Sequence, residues 1–259
     1  MSEVIQQKQK EWFDQWTLFQ DREEFLFQEW IHPFTMEDFR DKEVLEAGCG
    51  GGQHTAFMAK YAKKITAVDL NTITIAKERC ESHVNIDFVE ADIATMDLAK
   101  QYDVVLSIGV VHHTDDPDKT MANLIKHVRP GGKLVVWVYS KEGNFLIEYG
   151  VELLRQVLIK RLSRRWMYRL SQCITAAMII PIYTVYRLPL RFLPFYEYFG
   201  NFRKLSFNRN VLNVFAKLNA PQVHFITQKQ AHGWVEKKFE DIHISQYCGV
   251  SWRVSGKIK

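Results

Sequence analysis

The segment most able to bind a ligand is the glycine-rich run EAGCGGG, from Glu46 to Gly52. It follows a short apolar run and precedes a helical pattern, so it predicts a turn between a strand and a helix. Glycine lets the backbone turn sharply there and approach a ligand closely. Nicotinamide-binding loops read G-x-G-x-x-G, whereas this loop reads acid-x-G-x-G-x-G. A dehydrogenase is therefore the least favoured enzyme class.

Two carboxylates follow at the ends of later apolar runs. Asp69 ends the run KITAVD, about 20 residues after the glycines, where an acid can accept both hydroxyls of a ribose. Asp92 follows the run IDFVE, and its carboxylate is suited to the exocyclic amine of an adenine. The three elements in this order predict a site for a nucleoside-containing ligand.

A sheet must position these residues. Short apolar runs alternate with helical patterns through the first half of the chain, which predicts parallel strands buried on both faces. The predicted strands are residues 42–47, 64–69, 86–90, 102–108 and 132–139. The alternation stops near Ser140. A helix-capping pattern at Thr227 then opens a helix, and two strands, 241–247 and 250–257, are expected to pair antiparallel.

Five motifs over residues 42–140 carry a family resemblance, which is weaker over 223–258. They read VLEAGCGGG, AVD, EADI, YDVVLSIGVVHHTDDP and RPGGKLVVWV. Together they resemble the motif series of class I S-adenosylmethionine-dependent methyltransferases, most closely the small-molecule enzymes of ubiquinone and menaquinone biosynthesis. The resemblance implies an α/β, Rossmann-like fold of seven strands with an antiparallel final hairpin. It also implies an enzyme with S-adenosyl-L-methionine as its cofactor.

The same resemblance implies roles for individual residues. Glu46 and the loop glycines would cradle the methionine part of the cofactor, Asp69 the ribose, and Asp92 with Ile93 the adenine. Cys49, inside the loop, is expected to pack rather than to act as a nucleophile. The candidate cofactor-binding residues are Glu46, Gly48, Cys49, Gly50, Gly52, Gln53, Asp69, Leu70, Asp92 and Ile93.

The candidate catalytic residues are His112 and His113, which the fourth strand delivers to the carboxyl edge of the sheet. Methyl transfer is an in-line displacement that needs an aligned acceptor in a dry site, and a hydroxyl acceptor benefits from a general base. A histidine has a suitable pKa for that task. We favour His113 slightly over His112, with a purely local backbone contact as the alternative.

Other features of the sequence limit the classes of protein to which the chain can belong. The four cysteines form no C-x-x-C pair, and no histidine or acidic spacing indicates a metal site, so no metal is predicted. The N-terminus is too polar for a secretory signal. The longest uncharged run, 170–186, is broken by Pro181 and falls short of the roughly 20 residues of a membrane span. A cytoplasmic protein is expected.

The charge is distributed unevenly. The chain of 259 residues has a formal net charge of +4, yet residues 155–209 contain eleven Lys or Arg and one acid, Glu197. Arginines recur among leucines and Trp166 from residue 153 to 169, which predicts a basic amphipathic helix. This segment could bind an anionic, apolar acceptor, dock on an anionic membrane surface, or be a solvated helical subdomain.

Four parts of the chain follow from these patterns: an N-terminal helical cap (1–41), a cofactor-binding core (42–141), a helical lid insertion (142–222) and a closing helix with two strands (223–259). In the cap, Trp12, Gln15 and Trp16 either close over the cofactor or simply pack on the core.

The favoured function is O-methylation of a small or lipid-linked acceptor, with possible peripheral membrane contact through residues 155–209. The alternatives are a quinone-type C-methyltransferase, an RNA methyltransferase, for which the binding motifs are missing, and a cofactor-binding protein without catalysis. Nucleic acid is an unfavoured partner, and the sequence leaves the oligomeric state open.

Overall fold

A seven-stranded sheet organises the chain. The computed structural model describes residues 3–151, 155 and 162–259, with side chains from residue 10 onward. Its strands are β1 (Glu43–Ala47), β2 (Lys64–Asp69), β3 (Ile86–Glu90), β4 (Tyr102–Ile108), β5 (Val128–Tyr139), β6 (Phe239–Tyr247) and β7 (Ser251–Ile258). Their order is β3-β2-β1-β4-β5-β7-β6, and only the pairs made by β7 are antiparallel. The predicted Rossmann-like fold class and its final hairpin are confirmed.

Helices cover both faces of the sheet. They are α1 (Glu3–Leu18), α2 (Glu24–Ile31), α3 (Gln53–Met58), α4 (Ile73–Arg79), α5 (Pro117–Lys126), α6 (Arg164–Tyr183), α7 (Tyr196–Phe202), α8 (Phe207–Asn219) and α9 (Gln228–Val235). Val44 and Leu45 are adjacent in β1, both are fully buried, and they belong to different apolar clusters. The sheet is therefore packed on each face, as the unbroken apolar strands require.

The order of the strands fixes where a ligand can bind. β1 lies between β2 and β4. The crossover from β1 leads to β2 on one side, and the later crossover from β3 leads to β4 on the other side. In open α/β sheets the crevice at such a switch point, beyond the carboxyl ends of the strands, is the usual ligand site. The glycine loop follows β1, Asp69 ends β2, and the histidine pair follows β4. All three predicted elements thus meet at one edge.

The N-terminal cap expected over residues 1–41 contains two helices, α1 and α2, and a short turn, Met36–Phe39. Phe19, after α1, packs with Met167, Val211 and Phe215 of the insertion in a separate apolar cluster. The cap and the insertion therefore share a core of their own and cover the sheet edge together.

Ion pairs reinforce this contact and neutralise part of the positive charge of the insertion. Arg209 Nε lies 2.8 Å from Asp21 Oδ2, and both side chains are buried. Arg164 Nη2 lies 2.9 Å from Glu11 Oε1. Arg155 is buried and donates to the Ala220 carbonyl. Residues 153–154 and 156–161 of the predicted amphipathic helix lie outside the described residues. Arg155 and Arg164 of that pattern nevertheless face protein rather than solvent, because acids and carbonyls lie against them.

Asp21→Asn should destabilise the protein by about 3 kcal/mol, because it leaves the Arg209 guanidinium buried without a countercharge. The asparagine Oδ1 keeps the bond that Asp21 Oδ1 accepts from the Glu23 amide. Urea unfolding measures the change. Asp14→Asn removes a more exposed partner of Arg164 and should cost less than about 1 kcal/mol. Equal effects of the two variants would contradict the special role of the buried pair.

Candidate active site

The backbone of the glycine loop follows a path that leaves no room for side chains at its glycines. Gly48, Gly50 and Gly52 all have positive φ, at 87°, 53° and 80°. A Cβ on Gly48 would lie 2.5 Å from Val110 Cγ2, two residues before His112. Glycine is therefore required here both by the left-handed backbone and by the close approach of the β4 end. The loop and the histidine turn are in direct contact.

Asp69 holds the loop against the end of β2. Its Oδ2 accepts a hydrogen bond from the Gly50 amide at 2.9 Å, and its Oδ1 accepts from the Thr72 amide at 3.3 Å. The Thr72 hydroxyl in turn donates to the Gly50 carbonyl at 2.6 Å. Leu70, the next residue after Asp69, is exposed at the same edge. The predicted ribose contact of Asp69 remains a prediction, and the structure adds that this residue also shapes the loop.

Glu46 is a buried carboxyl beneath the loop. The Thr55 hydroxyl donates to its Oε2, and His54 Nδ1 lies 3.8 Å from its Oε1. Burial raises the pKa of Glu46 to about 8, although the bond from Thr55 opposes this, and burial lowers the pKa of His54 to about 4. At neutral pH both groups are predominantly uncharged, so their contact is not an ion pair.

The third candidate contact lies after β3. Asp92 is exposed, and its Oδ1 accepts from the Ala94 amide at 2.8 Å. The Ile93 side chain is buried in the core, so a cofactor contact would have to come from its backbone. Asp92 follows the strand that pairs with β2, so it lies at the same edge as Asp69. The adenine contact of these two residues stays a prediction.

The histidine pair occupies a helical turn directly after β4. His113 Nδ1 lies 2.9 Å from the Gln222 carbonyl. Because a carbonyl only accepts, Nδ1 carries the proton and Nε2 keeps its lone pair. Burial is the main cause that lowers the pKa of His113 to about 4, so its ring is neutral at physiological pH.

His112 has a different environment. It is fully buried with its ring 4.1 Å from that of His113 and 4.3 Å from that of Tyr139. Burial also lowers its pKa far below the usual range. Neither of its ring nitrogens has a hydrogen-bond partner among the described residues. His113, with a fixed tautomer, is thus the better-prepared of the two candidate bases.

The cap helix covers both the loop and the histidines. The Trp12 ring lies 4.8 Å from that of His113, while a Cβ on Gly50 would meet Trp16 Nε1 at 2.8 Å. Arg79, which sequence reasoning missed, donates to the Phe19 carbonyl at 2.9 Å and to the Trp16 carbonyl. The contacts favour closure of α1 over the cleft. No local motif marks Arg79, because its role depends on the docked helix.

Cys49 is buried in the loop, and burial raises its pKa well above the usual range. A thiol in this state is a poor nucleophile, as the sequence predicts. In the described ranges, no group of three or more His, Cys, Asp or Glu side chains is arranged to hold a metal ion.

A family model described as a methyltransferase domain matches residues 45–136. That range contains the glycine loop, Asp69, Asp92 and the histidine pair. The chain contains a class I S-adenosylmethionine-dependent methyltransferase domain.

Two curated relatives each match less than half of the chain. The chain is 34% identical over 109 residues to an uncharacterized protein of Synechococcus, which covers 39% of this chain and 26% of that protein. It is 31% identical over 102 residues to a ubiquinone biosynthesis O-methyltransferase of Rickettsia conorii, over 38% of this chain and 35% of the relative. The chain thus spans only about a quarter to a third of the length of these two relatives.

A solved structure shares the fold over nearly the whole length. It is N-methyltransferase NodS from Bradyrhizobium japonicum, in complex with S-adenosyl-L-homocysteine. The similarity covers 99% of each chain with a TM-score of 0.52 and 13% sequence identity. At this identity the similarity concerns the fold.

S-adenosylmethionine is the cofactor of this domain, and the residues present fit it. The positive-φ loop admits a ligand close to the backbone. Oε1 of Gln15 and Oε1 of Gln53 are buried acceptors without a hydrogen-bond partner in the described part of the chain. Together with Glu46 they offer the acceptors that a methionine ammonium group needs.

Cofactor affinity should depend on pH through Glu46. If its carboxylate accepts from the ammonium group, binding requires loss of the proton that Glu46 holds below about pH 8. The dissociation constant of S-adenosylhomocysteine should therefore rise nearly tenfold for each unit from about pH 8 down to about pH 6. Calorimetry in buffers of different ionisation enthalpy should also show proton release.

Glu46→Gln, which mimics the protonated carboxyl, is the matched control and should bind weakly and independently of pH over this range. Because the folded-state pKa of Glu46 is raised, its protonation stabilises the free protein, and that contribution is lost as pH rises through about 8. A wild-type affinity that does not change with pH would contradict this role.

Proposed function

We propose that the chain transfers the methyl group of S-adenosylmethionine to a hydroxyl oxygen of a small or lipid-linked acceptor, with His113 as the general base. The observation that carries this proposal is the fixed tautomer of His113, which leaves Nε2 free to accept a proton. The position of this ring, beside the loop that binds the cofactor, supports the same role. The relatives named ubiquinone biosynthesis O-methyltransferase favour oxygen as the acceptor atom.

Gln222 is the positioning residue for this base. Its carbonyl accepts from His113 Nδ1, and its side-chain amide donates to the His113 carbonyl at 3.1 Å and to Asp115 Oδ1 at 2.9 Å. The imidazole is thus held at its ring and at its backbone. Trp12 covers the ring and limits water near Nε2.

The bound cofactor supplies a methyl group on a positively charged sulfur, which leaves as a thioether. The protein holds the acceptor hydroxyl in line and takes its proton on His113 Nε2 as the oxygen–carbon bond forms. The neutral state of His113, which follows from its lowered pKa, keeps Nε2 available across physiological pH. The buried ring of His112 is a second candidate base.

Replacement of His113 by Gln should lower kcat about 100-fold or more, because the proton then has no acceptor. The assay follows labelled methyl groups from S-adenosylmethionine into small-molecule and lipid extracts. The affinity for S-adenosylhomocysteine should stay within about threefold of the wild type, since the new amide side chain would not touch the loop. His232→Gln, at an exposed histidine on α9, is the control and should retain full activity.

The fate of the label tests the function itself. Label in an ether of a small or lipid-linked product supports O-methylation. Label on a ring carbon would favour the quinone-type alternative, and label in RNA would contradict the proposed acceptor class. Cofactor binding without any labelled product would indicate a binding protein without catalysis.

We also propose that the insertion docks on an anionic membrane surface through the segment 179–192, here called the insertion tip. Several of its apolar side chains are exposed, including Phe192 at 81% and Ile180 at 70%. Arg187 and Arg191 are exposed among them, which complements anionic headgroups. Within the described residues, no helix is long and apolar enough to cross a membrane.

Vesicle sedimentation tests the insertion tip. Binding to vesicles that contain phosphatidylserine should exceed binding to pure phosphatidylcholine. The double variant Arg187→Gln/Arg191→Gln should weaken it roughly thirtyfold, at about 1 kcal/mol per cation. The control Lys237→Gln/Lys238→Gln makes the same change in charge at exposed lysines after α9. An equal loss in both double variants would show only a general charge effect and would contradict the proposed surface.

A further inference from the structure

A cavity opens beside the histidine pair, between the end of β5 and the last turn of α8. Its space, counted together with the solvent at its open mouth, is about 370 Å³. The lining is mostly apolar and includes Ile147, Val151, Ala216, Tyr139, Phe225 and Lys217. The Tyr139 ring lies 4.3 Å from that of His112 and 6.0 Å from that of His113. A molecule in this cavity would therefore be close to both candidate bases.

Lys217 brings a charge into this apolar lining. It is on α8, and its ammonium lies 4.9 Å from the ring centroid of Tyr198 and 5.9 Å from that of Tyr139. Burial lowers its pKa from the usual value. The other lining residues that the structure describes are neutral, and none of the described carboxylates forms an ion pair with Lys217. A cation held in this way favours a ligand that brings the opposite charge.

The hydrogen bonds of Lys217 leave room for such a ligand. Its Nζ donates to the Tyr198 hydroxyl at 2.7 Å and, at the longer distance of 3.5 Å, to the Asn213 carbonyl. An ammonium group has three donors, so one remains for an anionic oxygen. The Tyr198 contact also fixes the direction of the long side chain, which reduces the entropy lost on binding.

We propose that Lys217 is the specificity-determining residue of the acceptor site and binds an anionic oxygen group of a flat, apolar acceptor. The body of the acceptor lies against Tyr139 and Phe225, whose rings are stacked at 6.5 Å. The acceptor class is then an aromatic hydroxy acid or a similar amphiphile. This inference rests on the proposed methyltransferase function, since it places the acid at one end and the reacting hydroxyl near His113.

Matched pairs of probes test the charge requirement. The probes are 4-hydroxybenzoate and 1-hydroxy-2-naphthoate with their neutral amides, titrated into the protein saturated with S-adenosylhomocysteine. In the wild type each acid should bind at least about tenfold more tightly than its amide. Lys217→Met should remove this preference and leave the affinity for the amides nearly unchanged, whereas Lys217→Arg should retain most of it.

Tyr198→Phe separates recognition from packing. It removes the hydroxyl that the lysine contacts but keeps the charge, so the preference for acids should persist. If it disappears in Tyr198→Phe as it does in Lys217→Met, the lysine acts through its contact within the insertion and the proposal is wrong. Equal binding of acids and amides by the wild type, or no binding of either, also overturns it. Failure of S-adenosylhomocysteine to bind would instead contradict the proposed function.

Discussion

The hydrogen bond from the Gly50 amide to Asp69 is the constraint on which the site depends. It joins the loop after β1 to the end of β2 at 2.9 Å, and the loop can reach it only because its glycines hold positive φ. The same path brings Gly48 against Val110, which precedes the histidine turn. One backbone conformation thus sets the relative position of the candidate cofactor site and the candidate base. A side chain at Gly48 would disturb both.

The cap and the insertion pack together over this edge, and their contacts explain where the positively charged side chains of the insertion lie. Two groups can be distinguished among its described cations. Arg164 and Arg209 are paired with acids of the N-terminal segment, so they fasten the insertion to the cap. Arg187 and Arg191 are exposed beside apolar side chains, so they are available to an external surface. The net charge of +4 does not show which of these arginines are paired and which are exposed. Composition alone could not separate structural cations from those that face a partner.

Much of the fold, and the sheet edge at which the candidate cofactor-binding residues meet, could be predicted from the sequence, because those features are local in the chain. The loop motif, the strand ends at Asp69 and Asp92, and the antiparallel hairpin each carry a signal within about ten residues. Arg79 and Lys217 carried no such signal. Their roles arise from helices that pack over the sheet edge, and contacts between distant segments leave little trace in a single sequence.

Burial disfavours the charged form of three ionisable groups in the cleft. It raises the pKa of Glu46, lowers that of His113 and lowers that of Lys217. In each case the low-dielectric surroundings disfavour the charged form. A methionine ammonium near Glu46, or an anionic acceptor near Lys217, would supply the missing countercharge, so the charged form of each residue would be stabilised only with its ligand. His113 is uncharged before the reaction and becomes charged only when its Nε2 takes the proton of the acceptor hydroxyl. The cleft would then select charged ligands at two ends and keep an uncharged base between them.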